Sequence, residues 1–156
     1  ALPIYAVDRF ASYRQDWQEF YEKGGLILAD RYTTSNMIHQ AVKYDDPAER
    51  DAFLDWLDDL EFGKFGLPRP DGVCLLDVPE AVTERLMANR EHKTGGATGD
   101  IHEKDTSYLL RVHEAYDELS RRYGWHRIYC ADETGEQLRT IESIHEDVYD
   151  AIKPLL

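Results

Sequence analysis

Aromatic residues recur at helical spacing through residues 1–21, where Tyr5, Phe10, Tyr13, Trp17 and Phe20 mark one stripe. Lys23-Gly24-Gly25 then predicts a stop, a basic last turn followed by glycine. Leu26-Ile27-Leu28-Ala29 is a short uninterrupted apolar run, the pattern of a strand buried on both faces. It ends at Asp30-Arg31-Tyr32, and Thr33, Thr34 and Ser35 can open the next helix. Asp45-Asp46-Pro47 supplies a capping carboxylate and a first-turn proline. The helix it starts has Phe53, Leu54, Leu57 and Leu60 on one face, opposite Glu49, Asp51, Asp55, Asp58 and Asp59, which read as solvated charge. Pro68 and Pro70 interrupt the chain before a second apolar strand over 73–78, and Pro79-Glu80 starts a helix through Val82, Leu86 and Met87. A polar, glycine-bearing stretch over 89–99 reads as a loop. A long helix over 102–123, a third strand over 125–130 and a final helix over 141–155 complete the pattern.

Apolar strands alternating with helices predict an α/β domain: three layers, with a mainly parallel sheet flanked by helices. No repeat or linker divides residues 1–156, so a single domain is expected. In such sheets ligands sit at the carboxyl ends of the strands. Asp30, Arg31 and Asp77 fall at those ends.

Composition narrows the classes. Hydrophobic residues make up 42% and charged residues 31% of the 156, an ordinary globular balance. No apolar run is long enough to cross a bilayer, residues 1–14 do not resemble a secretion signal, and Cys74 and Cys130 each lie in an apolar run as buried thiols would. A cytoplasmic protein without membrane partners is expected. The net charge of −13 argues against general binding to a nucleic-acid backbone. A small phosphorylated ligand is still compatible with it, because a few placed arginines suffice for one anion.

Asp30-Arg31-Tyr32 is the strongest chemical signal. Arg31 offers a planar, permanently charged fork suited to phosphate oxygens. From the triplet alone, a phosphate site and a structural pairing of Arg31 with Asp30 are equally open. Lys93-Thr94-Gly95-Gly96 has its glycines after the lysine, the reverse of a phosphate loop. The His-Glu pairs at 102, 113 and 145 never continue to a second histidine four residues on, which disfavours a zinc protease.

Four segments in order resemble the thymidylate kinase family over residues 1 to about 149. They are Ala1-Leu2-Pro3-Ile4-Tyr5-Ala6-Val7-Asp8-Arg9; Asp30-Arg31-Tyr32 with Asn36 and Gln40 following; Leu67-Pro68-Arg69-Pro70-Asp71 with the strand over 73–78 and Pro79; and Arg85, Arg90 and Lys93 leading into Asp100-Ile101-His102-Glu103. The resemblance implies that Tyr5 stacks on a thymine ring and that Arg9, one helical turn later, reaches the monophosphate beside Arg31. It implies that Asn36 and Gln40 read the base edge, and that Asp30 orients Arg31 or a magnesium ion through water. Over a lid at about 89–100, Arg90 and Lys93 would close on the transferring phosphoryl group, with Asp100 near the sugar and Glu103 near Mg2+. His39 departs from the aromatic usual at its position.

The implied activity is ATP- and magnesium-dependent phosphorylation of thymidine monophosphate, in a homodimer. The alternatives are a non-catalytic nucleotide-binding or interaction remnant that has lost the ATP site, or a related monophosphate kinase. The family's opening strand, Gly-rich phosphate loop and helix have no counterpart in these residues. That leaves two expectations: a longer parent protein, or direct pairing of the strands at 26–29 and 73–78 in an altered sheet.

Overall fold

The computed structural model describes residues 2–86 and 106–156. The chain forms two compact units, Ala1–Arg69 and Pro70–Leu156.

The first unit is helical. Helix α1 (Leu2–Ser12) runs through a π-helical segment (Tyr13–Trp17) into α2 (Gln18–Glu22). The middle of the aromatic stripe packs as its spacing predicts, while Tyr5 and Phe20 at its ends stay exposed. Tyr13 is buried, Phe10 meets Phe65 at 5.3 Å between ring centroids, and Trp17 lies between Tyr13 (4.7 Å) and Tyr21 (6.0 Å). Gly24, at φ 85°, ends the run, and Gly25 passes so close to Phe20 that an added Cβ would collide with its ring. Helix α3 spans Thr33–Ala41. Helix α4 (Pro47–Asp58) opens on the expected cap: the Asp46 carboxylate accepts from the Ala48 N–H at 2.7 Å, with Pro47 at the first helical position. It continues as a second π-helical segment, Asp59–Lys64, closed by the Phe65 N–H to the Leu60 carbonyl at 3.0 Å. Ile38, Ala41, Phe53, Leu54, Leu57 and Leu67 form this unit's core with Ala6 and Tyr13.

The second unit holds a small parallel sheet. Strand β1 (Cys74–Asp77) pairs with β2 (His126–Tyr129), Cys74 opposite His126 and Asp77 opposite Tyr129. Residues 80–86 are helical (α5); the later helices are α6 (Thr106–Arg122) and α7 (Ile141–Ile152), the last running into a 3-10 turn, Lys153–Leu155. Gly124, at φ 65°, separates α6 from β2. The side chain of Thr140 caps α7 by accepting from the Ser143 N–H at 3.2 Å. Val82, Val112, Ala115, Leu119, Ile128, Cys130 and Ala131 make the core.

The molecule is therefore helix-rich with a small parallel sheet, and one expectation fails. Residues 26–29 are irregular, and the only sheet among the described residues is the β1–β2 pair. An apolar run becomes a strand only where a ladder partner satisfies its backbone, and 26–29 has none among the described residues. Its side chains show the consequence: Leu28 is 76% exposed and Leu26 is exposed too. Asp30 and Arg31 thus occupy a turn before α3 rather than a strand end. No helix among the described residues is long and apolar enough to cross a membrane.

Candidate functional site

The first unit gathers most of the residues singled out from sequence. The turn into α3 bends sharply at Arg31, the one non-glycine residue at positive φ (69°) among the described residues. This conformation is disfavoured for a side chain with a Cβ. The exposed guanidinium lies along the first turn of α3, donating from Nε to the Ser35 hydroxyl at 3.0 Å. Asp30 forms no ion pair with it; among the described residues Arg31 is a cation without a carboxylate partner.

Tyr32 follows, half buried, with its ring 6.4 Å from that of Trp17. Its hydroxyl donates to the Pro68 carbonyl at 3.1 Å. Burial pushes the phenol up to about 12, the negative charge of Glu61 adds to the rise, and the positive charge of Arg9 opposes it.

Arg9 is not a free cation. Its Nε donates to Glu61 Oε2 at 3.2 Å, and its Nη2 makes a second, shorter bond to Glu61 Oε1. The Glu61 side chain is 0% exposed while Arg9 retains 19%. Tyr5, one turn earlier on α1, is 55% exposed.

On α3 the polar residues divide. Asn36 is buried and its Nδ2 has no hydrogen-bond partner; the same holds for the Thr33 hydroxyl, one turn earlier. A buried donor left unpaired costs about 1–3 kcal/mol. The Gln40 side-chain oxygen accepts from Lys43 Nζ at 2.7 Å.

Arg90, Lys93, Asp100 and Glu103, with most of the expected lid at 89–100, lie outside the described residues. No group of three or more His, Cys, Asp or Glu side chains arranged for a metal occurs among the described ones. Asp77, at the carboxyl end of β1, is committed to structure: its buried carboxylate accepts from Arg127 Nε at 2.8 Å, and Arg127 Nη1 also donates to Asp117 at 2.5 Å. Cys74 and Cys130 are free thiols, each pushed up by burial.

Glu61, Thr33 and Ser35 are participants that sequence reasoning missed. The signal for Glu61 was present, since it stands four residues after Leu57 and seven after Leu54, on the apolar face of α4 extended.

No protein-family model matches the chain, nor does any solved structure. Curated relatives do. A thymidylate kinase of Mycobacterium tuberculosis is 30% identical over 100 residues, covering 64% of this chain and 46% of that protein. A probable thymidylate kinase of Pyrococcus abyssi is 28% identical over 152 residues, 96% of this chain and 62% of that one. One from Thermococcus gammatolerans is 29% identical over 150 residues, with the same shares. The chain thus spans between about half and three fifths of the length of these relatives.

Proposed function

The chain belongs to the thymidylate kinase family, and from that premise we propose that the complete protein transfers the γ-phosphoryl group of ATP to thymidine monophosphate. A phosphate oxygen of the monophosphate attacks the γ-phosphorus as the bond to ADP breaks. ATP supplies the phosphoryl group; the residues described here bind and orient its acceptor. In this reading the parent fold is a three-layer P-loop kinase-like domain, and the β1–β2 pair is part of its parallel sheet.

The observation that carries the proposal is the turn from Arg31 into α3. There an exposed guanidinium, without a carboxylate partner among the described residues and on a strained backbone, precedes two buried, unpaired polar groups on α3. Strain of this kind concentrates where it serves a site. Arg31 holds the acceptor phosphate with Arg9, while Tyr5 stacks on the ring. The Asn36 amide donates to a ring carbonyl, and Gln40 is the second amide at the base edge. Asp30, free of Arg31, is available to a hydrated magnesium ion. Arg90 and Lys93 supply positive charge to the transferring group, where a loose transition state is stabilised mainly by electrostatics. Asp100 is assigned to the sugar, and Glu103 would help hold Mg2+. The protein acts in the cytoplasm as a homodimer.

The test is phosphorylation of thymidine monophosphate by the full-length protein in a coupled assay. Arg31→Ala is expected to lower kcat/KM about 100-fold, roughly 2.7 kcal/mol of transition-state binding. Undiminished turnover by that variant would overturn the assignment.

A further inference from the structure

Resting on the reading of Arg31 as a ligand of the acceptor phosphate, we infer that Ser35 is a positioning residue. Its hydroxyl holds the Nε edge of the Arg31 guanidinium and so aims the opposite end at the anion.

Arg31 and Ser35 stand four positions apart, one in the turn and the other at the start of α3. Ser35 is bonded to that turn twice: its N–H donates to the Tyr32 carbonyl at 3.2 Å, and its Oγ accepts from Arg31 Nε at 3.0 Å. The turn itself has little freedom. Arg31 sits at φ 69°, and Tyr32 is tied by its ring, 6.4 Å from that of Trp17, and by its hydroxyl to the Pro68 carbonyl at 3.1 Å. A strained backbone persists where its surroundings over-determine it. With the backbone fixed, the Nε bond sets the direction of the guanidinium. Nη1 and Nη2 make no hydrogen bond among the described residues. Those two nitrogens form the end-on fork that matches two oxygens of a phosphate.

The neutrality of the partner matters as much as its place. Arg9, Arg69, Arg121, Arg127 and Arg139 each rest on a carboxylate, which orients the guanidinium but cancels its charge. A hydroxyl orients without cancelling. In a chain of net charge −13, Arg31 is thereby held in place with its whole positive charge available to an anion. Without Ser35, each phosphate that binds would have to order the exposed side chain itself, at a cost in rotamer entropy.

Calorimetric titration of the full-length protein with thymidine monophosphate and with thymidine isolates the phosphate contribution as the ratio of two affinities. In the wild type the monophosphate should bind at least about tenfold tighter, and Arg31→Ala should remove most of that preference. Alanine suits a helix better than serine, so Ser35→Ala should fold. It is expected to cut the ratio about fivefold, the worth of one hydrogen bond, with thymidine affinity unchanged. Ser35→Thr keeps the hydroxyl and should keep the ratio. In an Arg31→Ala background, Ser35→Ala should change nothing further, because the serine acts through that guanidinium. Equal binding of the two ligands by the wild type, or an undiminished ratio in Arg31→Ala, overturns the reading of Arg31 and with it the role of Ser35. Where that reading holds, three results overturn the role of Ser35 alone: an unchanged ratio in Ser35→Ala, an equal loss in Ser35→Thr, or the same loss in the Arg31→Ala background. A Ser35→Ala chain that does not fold would assign the serine to structure and end the proposal.

Discussion

Arg31→Gly should separate stability from function at a single position. An L-residue in the left-handed region carries a penalty of about 1–2 kcal/mol, and Arg31 sits there at φ 69°. Its one hydrogen bond, to Ser35 at 3.0 Å, is exposed and returns only a fraction of that. Glycine removes the penalty but makes the unfolded chain more flexible, a loss of about 0.4–1 kcal/mol. Alanine loses the same hydrogen bond and keeps the strain. The Gly variant should therefore exceed the Ala variant by about 1 kcal/mol, or about 2–4 °C in Tm for a protein of this size. Urea unfolding at constant m-value measures the difference. Both variants lack the guanidinium, so both should lose the same roughly 100-fold in kcat/KM. A Gly variant no more stable than the Ala variant would show that the turn is not strained at Arg31. A Gly variant that kept activity would show that the strain, if present, serves no phosphate contact.

Two further outcomes test the buried polar groups. Asn36→Leu removes an amide whose donor has no partner; it should leave the free protein as stable or raise stability by about 1 kcal/mol, while abolishing discrimination among pyrimidine monophosphates in calorimetric titrations. A clear loss of stability would mean the amide is satisfied without ligand. For Tyr32 the folded-state value of about 12 lies above the ordinary 10.0. As pH rises between these values the unfolded chain ionises first, so stability present below pH 10 is lost progressively toward pH 12. Half-exposure limits the effect to about 1 kcal/mol, and Tyr32→Phe should flatten that part of the stability–pH curve measured by chemical denaturation.

Local chemistry was legible in the sequence because its causes are local. The Asp46–Pro47 cap, the glycine stop at 24 and the apolar face of α4 each depend on residues within one or two turns, and each appears where the pattern put it. Residues 26–29 failed for the complementary reason. Leucine and isoleucine in a row state only that a buried strand would suit them; whether a ladder partner arrives is decided elsewhere in the chain, and here Leu28 stands exposed. The aromatic stripe held two futures, core or interface, and packing divided it: Phe10 and Trp17 are engaged within the unit, whereas Phe20 remains exposed over Gly25.

The candidate residues were legible where they sit in short motifs and hidden where a distant partner decides their burial. Arg9, Arg31, Asn36 and Gln40 sit in short motifs whose residue types already suit a phosphate and a base edge. Glu61 sits among Asp58 and Asp59, so it reads as one more solvated acid. One sign of its burial is local, since it continues the face of Leu54 and Leu57, but the cation from α1 that meets it there lies in no short window. An acidic residue on an apolar face is tolerated only when a distant partner neutralises it. In a chain of net charge −13 the useful question is therefore which acids are not in water. Here that question leads from Glu61 to Arg9, the cation that meets it inside the helical unit.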